Sequence, residues 1–516
     1  MTRARADALH RIGVRVAPPC LSLLMVLPIW LTRHPPIQDW PQHLAAVRVL
    51  HSYSDPAFGF QDFFRLAPTD TQYLTVYYLA HFLAYFVGVT TALKLVLSVS
   101  IAALPVAVRS LARAFGGSGT SALLTLPFAY TAHTILGFVN FVAALPLMIA
   151  ILALAATQRT TPRRSRIWIL SALLIVCFYT HVVPFGLALL GSVLLTVDLT
   201  ATSLRRLLPL LAVSLLALPW FAISPAGQTV LEAVGMRTES SAKPIFTAPE
   251  EAWAQIPLWL TDVWRGDWDT WLLMAWAVLA VAWLVGSVTF RRHQAASTEQ
   301  LMAARRLLVL PPLCILAYFL LPASYAWIWP VNTRFLLLTL LLGIPLIGDV
   351  PRQAQYVLAL AASAVAVFNV SYVSRAFVAY EDEVGDLQTA IEQIPPRSRV
   401  AGLIWSRGSR VVEFSPFLHS VAYYQAERGG AVMFTFADFP QSPFHFRADN
   451  RPPPVQPRWE WTPERIVPDR DLAWYDWILS RGGALKQPDA RQFSVVFSSA
   501  PWRVYKRALP SVASPK

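Results

Sequence analysis

Long apolar runs separated by short basic stretches fill the first three quarters of the chain. Runs wide enough to cross a hydrocarbon core of about 30 Å occur near residues 16–32, 73–89, 92–108, 121–136, 139–157, 167–181, 184–199, 207–223, 271–289, 307–322, 334–349 and 356–374. Prolines recur inside them, among them Pro28, Pro105, Pro127, Pro146 and Pro345. Membrane helices tolerate these where neighbours or water satisfy the freed backbone groups. After Tyr380 the pattern shortens. It predicts a helix over 386–394, a strand over 400–405, a helix over 419–427 ended by Gly429 and Gly430, and a strand over 432–436. Further strands are expected over 474–479, 493–497 and 502–506, beyond an extended Pro-rich loop from Pro440 to Pro468 packed by Trp459 and Trp461. The expected fold is a polytopic α-helical membrane domain over 1–380 followed by a small α/β domain over 381–516.

Composition agrees with this division. Apolar residues make up 55% of the chain and charged residues 14%, against about 45–50% and about 25% in soluble domains. Basic residues outnumber acidic ones by 43 to 30. The surplus lies between the apolar runs, not on the C-terminal part, so it points to membrane topology and away from nucleic acid. Cys20, Cys177 and Cys314 all fall within apolar runs and suggest neither a disulfide framework nor a thiolate metal site.

The positive-inside rule places the basic leader (Arg3, Arg5, Arg11, Arg15) on the cytoplasmic side. It does the same for Arg109 and Arg113, Arg159 to Arg166, Arg205 and Arg206, Arg291 and Arg292, Arg305 and Arg306, and Arg352. Of the 15 acidic residues before position 381, four fall in the loop 33–72 and seven in 224–270, so both loops are read as outward. Alternation then makes the C-terminal domain extracytoplasmic. Eleven spans satisfy it if 73–89 is an embedded or surface helix; up to thirteen can be drawn.

The densest candidate chemistry is Gln38-Asp39-Trp40-Pro41-Gln42-His43, just outside the first span. Asp39 before Pro41 is an N-cap arrangement. Asp39 and His43 lie four apart and would share a helix face, as base and orienter or as two ligands of a cation. Asp39 could equally be a cap alone. His133 with Asn140, and His181, stand where later spans reach the outer surface, and ionisable groups there tend to face a cavity or a partner. Arg334 is basic at an outward helix start, suited to a phosphate or to anchoring beside Trp327 and Trp329. Arg65 and Lys243 are weaker candidates for the same role. The loop holding Trp253, Trp259, Trp264, Trp268 and Trp271 among carboxylates reads as an interfacial aromatic belt or as an acceptor groove.

These features together resemble the GT-C superfamily of membrane glycosyltransferases: one N-terminal span, an outward loop opening on an acidic residue and an amphipathic helix, about ten further spans, and an outward α/β domain. Asp39-Trp40-Pro41-Gln42-His43 is similar to the acidic, often His-containing, start of that family's first loop. The resemblance implies a polyprenyl-phosphate sugar donor, a lipid, glycan or protein acceptor, and Asp39 as base or metal ligand. Gln38 and Trp40 stand where the family carries a second acidic residue, so a divalent cation, held by Asp39 and His43 if at all, is left open. A bacterial inner-membrane location with a cytoplasmic N-terminus follows from the same resemblance and the topology. A transporter and a non-catalytic envelope-assembly scaffold are the competing classes. The first is disfavoured by the lack of any internal repeat, and the second would leave Asp39 and His43 exposed.

Overall fold

The computed structural model describes residues 18–198, 209–233 apart from 211, 214, 216 and 218, 243–289, 296–326, 328–453, 460–486 and 492–508. The basic leader, Arg205, Arg206, Arg291, Arg292, Trp327 and Trp459 lie outside the described residues.

Among the described residues five helices are long and apolar enough to cross a membrane: Val89–Ala114, Val139–Thr160, Trp268–Thr289, Thr298–Leu320 and Arg352–Val384. Shorter apolar helices cover Pro18–Leu31, Thr75–Val87, Val182–Thr196 and Thr333–Leu346, and Arg164–Phe178 forms a further helix. Val89–Ala114 and Val139–Thr160 pack against each other in the middle of the bundle. Trp268–Thr289 leaves most of its apolar surface exposed, as a helix facing lipid does. The Thr75–Val87 helix rises only about 20 Å at 1.5 Å per residue. It exposes Tyr78, Leu79, Phe82, Tyr85 and Phe86, and Gly88, at φ 76°, separates it from the long helix that follows.

The run expected as a helix over 121–136 is built differently. Thr120–Tyr130 is 3₁₀, Phe128 departs from helical angles beside Pro127, and a short α-helix, Ala132–Leu136, follows. Every side chain from Thr120 to Tyr130 is buried, so packing on all sides overrides local propensity. A carbonyl loosened by the 3₁₀ geometry is satisfied from elsewhere: the Trp276 indole donates to Leu124 O at 2.7 Å.

The C-terminal part carries a five-stranded mixed sheet in the order β3-β2-β5-β7-β6. The strands are β2 (Arg399–Ile404), β3 (Ala431–Val432), β5 (Trp477–Arg481), β6 (Phe493–Ser499) and β7 (Trp502–Arg507). β2 runs parallel to β3 and β5, and β7 is antiparallel to β5 and β6. β2 is buried nearly throughout, as expected of a central parallel strand covered on both faces. The strand expected over 432–436 pairs only at Ala431 and Val432, and after an irregular stretch a 3₁₀ turn, Phe436–Asp438, follows.

Sequence patterning did not anticipate how the two parts join. β1 (Phe64–Leu66), in the first long loop, pairs antiparallel with β4 (Phe444–Phe446), inside the Pro-rich stretch. The Phe64 ring packs against Phe444 and Phe446 with centroids 5.3 and 4.9 Å away. The Trp40–His51 helix lies against Ala422–Arg428, and the Arg352–Val384 helix runs without a break past Tyr380.

Candidate active site

A cavity of about 170 Å³ opens where the helix ends meet the C-terminal part. Its wall includes Asp39, His43, Tyr73, Tyr77, Asn140, His181, Trp329 and Arg334 from the helical part, and Phe436, Phe439, Gln441 and Ser442 from the segment before β4. Five of the eight residues singled out from the sequence therefore share one wall, although they are spread over almost 300 positions.

Asp39 is held by its backbone. The Gln38 and Asp39 N–H groups donate to Ile135 O and Leu136 O at 2.8 and 3.1 Å. Gly137 makes this approach sterically feasible: it sits at φ 93°, and a Cβ there would lie 2.8 Å from the Asp39 Cβ. Asp39 occupies the N-cap position of the Trp40–His51 helix, but its side chain makes no capping hydrogen bond. The expectation that the carboxylate caps the helix is thus corrected. Its Oδ1 lies 3.4 Å from Nε2 of His419, in the C-terminal part. Burial pushes the carboxyl up to about 7, opposed by a hydrogen bond from the Gln38 side chain.

His43 does not orient Asp39. Its Nε2 donates to Gly137 O at 2.7 Å, which leaves Nδ1 to accept from the Tyr77 hydroxyl at 2.9 Å. Burial holds its pKa down to about 4. With both ring nitrogens engaged, His43 presents no free lone pair to a cation in this arrangement. Among the described residues no three His, Cys, Asp or Glu side chains gather as a metal site.

Arg334 begins the Thr333–Leu346 helix and is 8% exposed. Its guanidinium donates to Pro330 O and lies 5.3 Å from the Phe138 ring centroid and 5.9 Å from that of Phe141. Nε has no hydrogen-bond partner, and no ion pair involves this side chain among the described residues. A buried cation without a carboxylate is costly unless an anion joins it, so this wall suits a phosphate.

His181 Nδ1 accepts from the Val183 N–H at 3.2 Å, capping the Val182–Thr196 helix and leaving Nε2 as the donor. Asn140 Oδ1 and Gln441 Oε1 are buried without partners, so the wall offers acceptors for ligand hydroxyls. His133 is placed one layer back. Its Nε2 meets the Thr333 hydroxyl at 3.2 Å and its ring packs among Phe138, Phe141 and Trp259, so it does not line the cavity. Arg65 is on β1, 4.0 Å from Asp70 with its side chain 59% exposed, and takes no part in the wall. Lys243 is likewise exposed. The tryptophan loop forms no part of the wall: Trp259 and Trp264 are packed inside, while Trp253 and Trp271 are exposed.

Sequence reasoning missed the partners of Asp39. His419 precedes the Ala422–Arg428 helix and stacks on Phe434 with centroids 4.6 Å apart. Its Nδ1 lies 3.2 Å from Oε2 of Glu460, whose side chain is fully buried. Nothing in the sequence sets His419 and Glu460, 41 positions apart, off from the other His and Glu residues of the C-terminal part.

By its apolar helices the chain is a helical membrane protein carrying a C-terminal sheet, with a cavity of mixed polar and aromatic lining where the two meet. Compared with protein-family models and with curated proteins, the sequence matches none.

Proposed function

We propose that this protein is a membrane glycosyltransferase of the GT-C kind. In this reading it transfers a sugar from a polyprenyl-phosphate donor to an envelope glycan, lipid or protein at the outer face of a bacterial inner membrane. One observation carries the reading: Asp39 and the buried Arg334, which makes no ion pair among the described residues, line the same cavity. Asp39 takes the proton of an acceptor hydroxyl, and the oxygen bonds to the anomeric carbon. The bond from that carbon to the phosphate oxygen breaks, and the polyprenyl phosphate leaves toward Arg334. The scaffold reading required Asp39 and His43 to be exposed, and both line the cavity instead.

Eleven crossings fit this reading. They are the Pro18–Leu31 helix, Val89–Ala114, the 3₁₀ run, the helices from Val139 to Thr196, the 209–223 segment, and the four helices from Trp268 onward. Thr75–Val87 then lies along the outer surface, and the N-terminus is cytoplasmic.

The test uses full-length protein in lipid nanodiscs with a panel of polyprenyl-phosphate sugars. Asp39→Asn should fold and bind donor while transfer falls about 10²-fold or more. Arg334→Lys should weaken donor binding in part, and Arg334→Ala should abolish it, because lysine keeps the charge without the planar fork. Full transfer by Asp39→Asn, or unaltered donor binding in both Arg334 variants, rejects the assignment.

A further inference from the structure

We propose that His419, steered by Glu460, is the positioning residue of Asp39, so that the C-terminal part completes the active site instead of merely covering it. The inference rests on Asp39 acting as the base.

Three side chains form a chain of contacts from the core of the C-terminal part to the cavity. Glu460 Oε2 faces His419 Nδ1 at 3.2 Å, and His419 Nε2 faces Asp39 Oδ1 at 3.4 Å. Among the described residues Glu460 pairs with no Arg or Lys and its Oε1 makes no hydrogen bond, and burial drives its carboxyl well above the usual range. Burial favours the protonated carboxyl, and in that form Glu460 Oε2 donates to Nδ1 across the 3.2 Å contact. With Nδ1 accepting, the remaining ring proton is on Nε2, the nitrogen that contacts Asp39 Oδ1 at 3.4 Å without forming an aligned hydrogen bond. Burial also holds the His419 ring neutral, its pKa drawn down to about 3.

The surroundings keep this geometry in place. The imidazole is stacked nearly parallel on Phe434, at 11°, and meets Trp461 edge-on. A Cβ at Gly402 would stand 3.3 Å from Glu460 Oε1 and 2.9 Å from Val421, so β2 carries glycine where the carboxyl fits. Structural packing alone would be served by an apolar residue at Glu460, without the cost of desolvating a carboxyl.

The N–H of His419 favours the ionised form of Asp39 and draws Oδ1 toward the ring. The remaining titratable groups around Asp39 are His43 on its own helix and Tyr77 on Thr75–Val87. Tyr73, His181 and Arg334 stand on other parts of the wall.

The experiment reads Asp39 directly, without substrate. Infrared pH titration of the full-length protein follows the carboxyl band that disappears in Asp39→Asn. His419→Phe keeps the stack on Phe434 and removes the N–H, so the Asp39 midpoint should rise by about one pH unit, a tenfold change in ionisation. His419→Gln restores an amide N–H and should return most of the shift. Glu460→Met leaves His419 in place but frees its tautomer, and should move the midpoint in the same upward direction. An unmoved midpoint in His419→Phe, or equal shifts in His419→Phe and His419→Gln, overturns the proposal. If His419→Phe does not fold, an unmoved midpoint in Glu460→Met does so. Because the titration needs no donor, it can fail while transfer remains dependent on Asp39, and the two conclusions are separable.

Discussion

At the scale of single residues, burial decides what each polar group can do. Asp39 stands at a helix N-cap yet leaves the helix N–H groups alone; its carboxyl is turned to the cavity edge and to His419, with its pKa lifted to about 7. A base must be ionised to act, so the sign of the expected pH dependence follows. Transfer should be near its plateau above about pH 7 and fall about tenfold per unit below it. A rate–pH profile with saturating donor checks this, and a profile flat from pH 5 to 8 contradicts it. His43 shows the converse. The same helix places it four residues from Asp39, but the Gly137 carbonyl and the Tyr77 hydroxyl occupy both ring nitrogens.

At the scale of elements, the Trp40–His51 helix is the hinge pin between the two parts. Gln38, Asp39 and Gln42 each reach a different point of the C-terminal part: Ser415 N–H, His419 and the Phe434–Phe436 turn. Gln42 is almost fully buried. It donates to Phe434 O at 2.9 Å and accepts from Phe436 N at 3.2 Å. Gln42→Leu would leave both backbone groups unpaired at about 1–3 kcal/mol each. The expected outcome is faster amide hydrogen exchange across residues 431–446 with the bundle helices unchanged. Exchange indistinguishable from the parent protein would mean that β1–β4 pairing alone holds the contact.

At the scale of the whole molecule, the cavity exists only because a helical bundle and a sheet are pressed together, and its side of the membrane follows the C-terminal part. An alkaline phosphatase fusion at Lys516 should be active and a cytoplasmic reporter there silent. The opposite pattern would put the cavity on the cytoplasmic side and end the polyprenyl-phosphate reading.

The sequence by itself determined what local periodicity and position can encode. Apolar runs located the helices, because an 18-residue stretch without charge has no other stable place. Strands β2, β6 and β7 were legible as short β-branched or aromatic runs set off by glycines and prolines. Asp39, His43, Asn140, His181 and Arg334 stood out because polar groups at apolar helix ends are conspicuous, and a bundle brings such ends together. The tertiary structure alone decided the rest. Nothing local distinguishes His133, sealed behind Phe141, from His181 on the wall, since burial depth depends on which neighbours arrive. The 3₁₀ path through Thr120–Tyr130, the β1–β4 pairing and the approach of His419 to Asp39 each depend on packing between segments far apart in the chain. Such contacts leave no period in either segment, and that is why the partners of Asp39 could be found only in three dimensions.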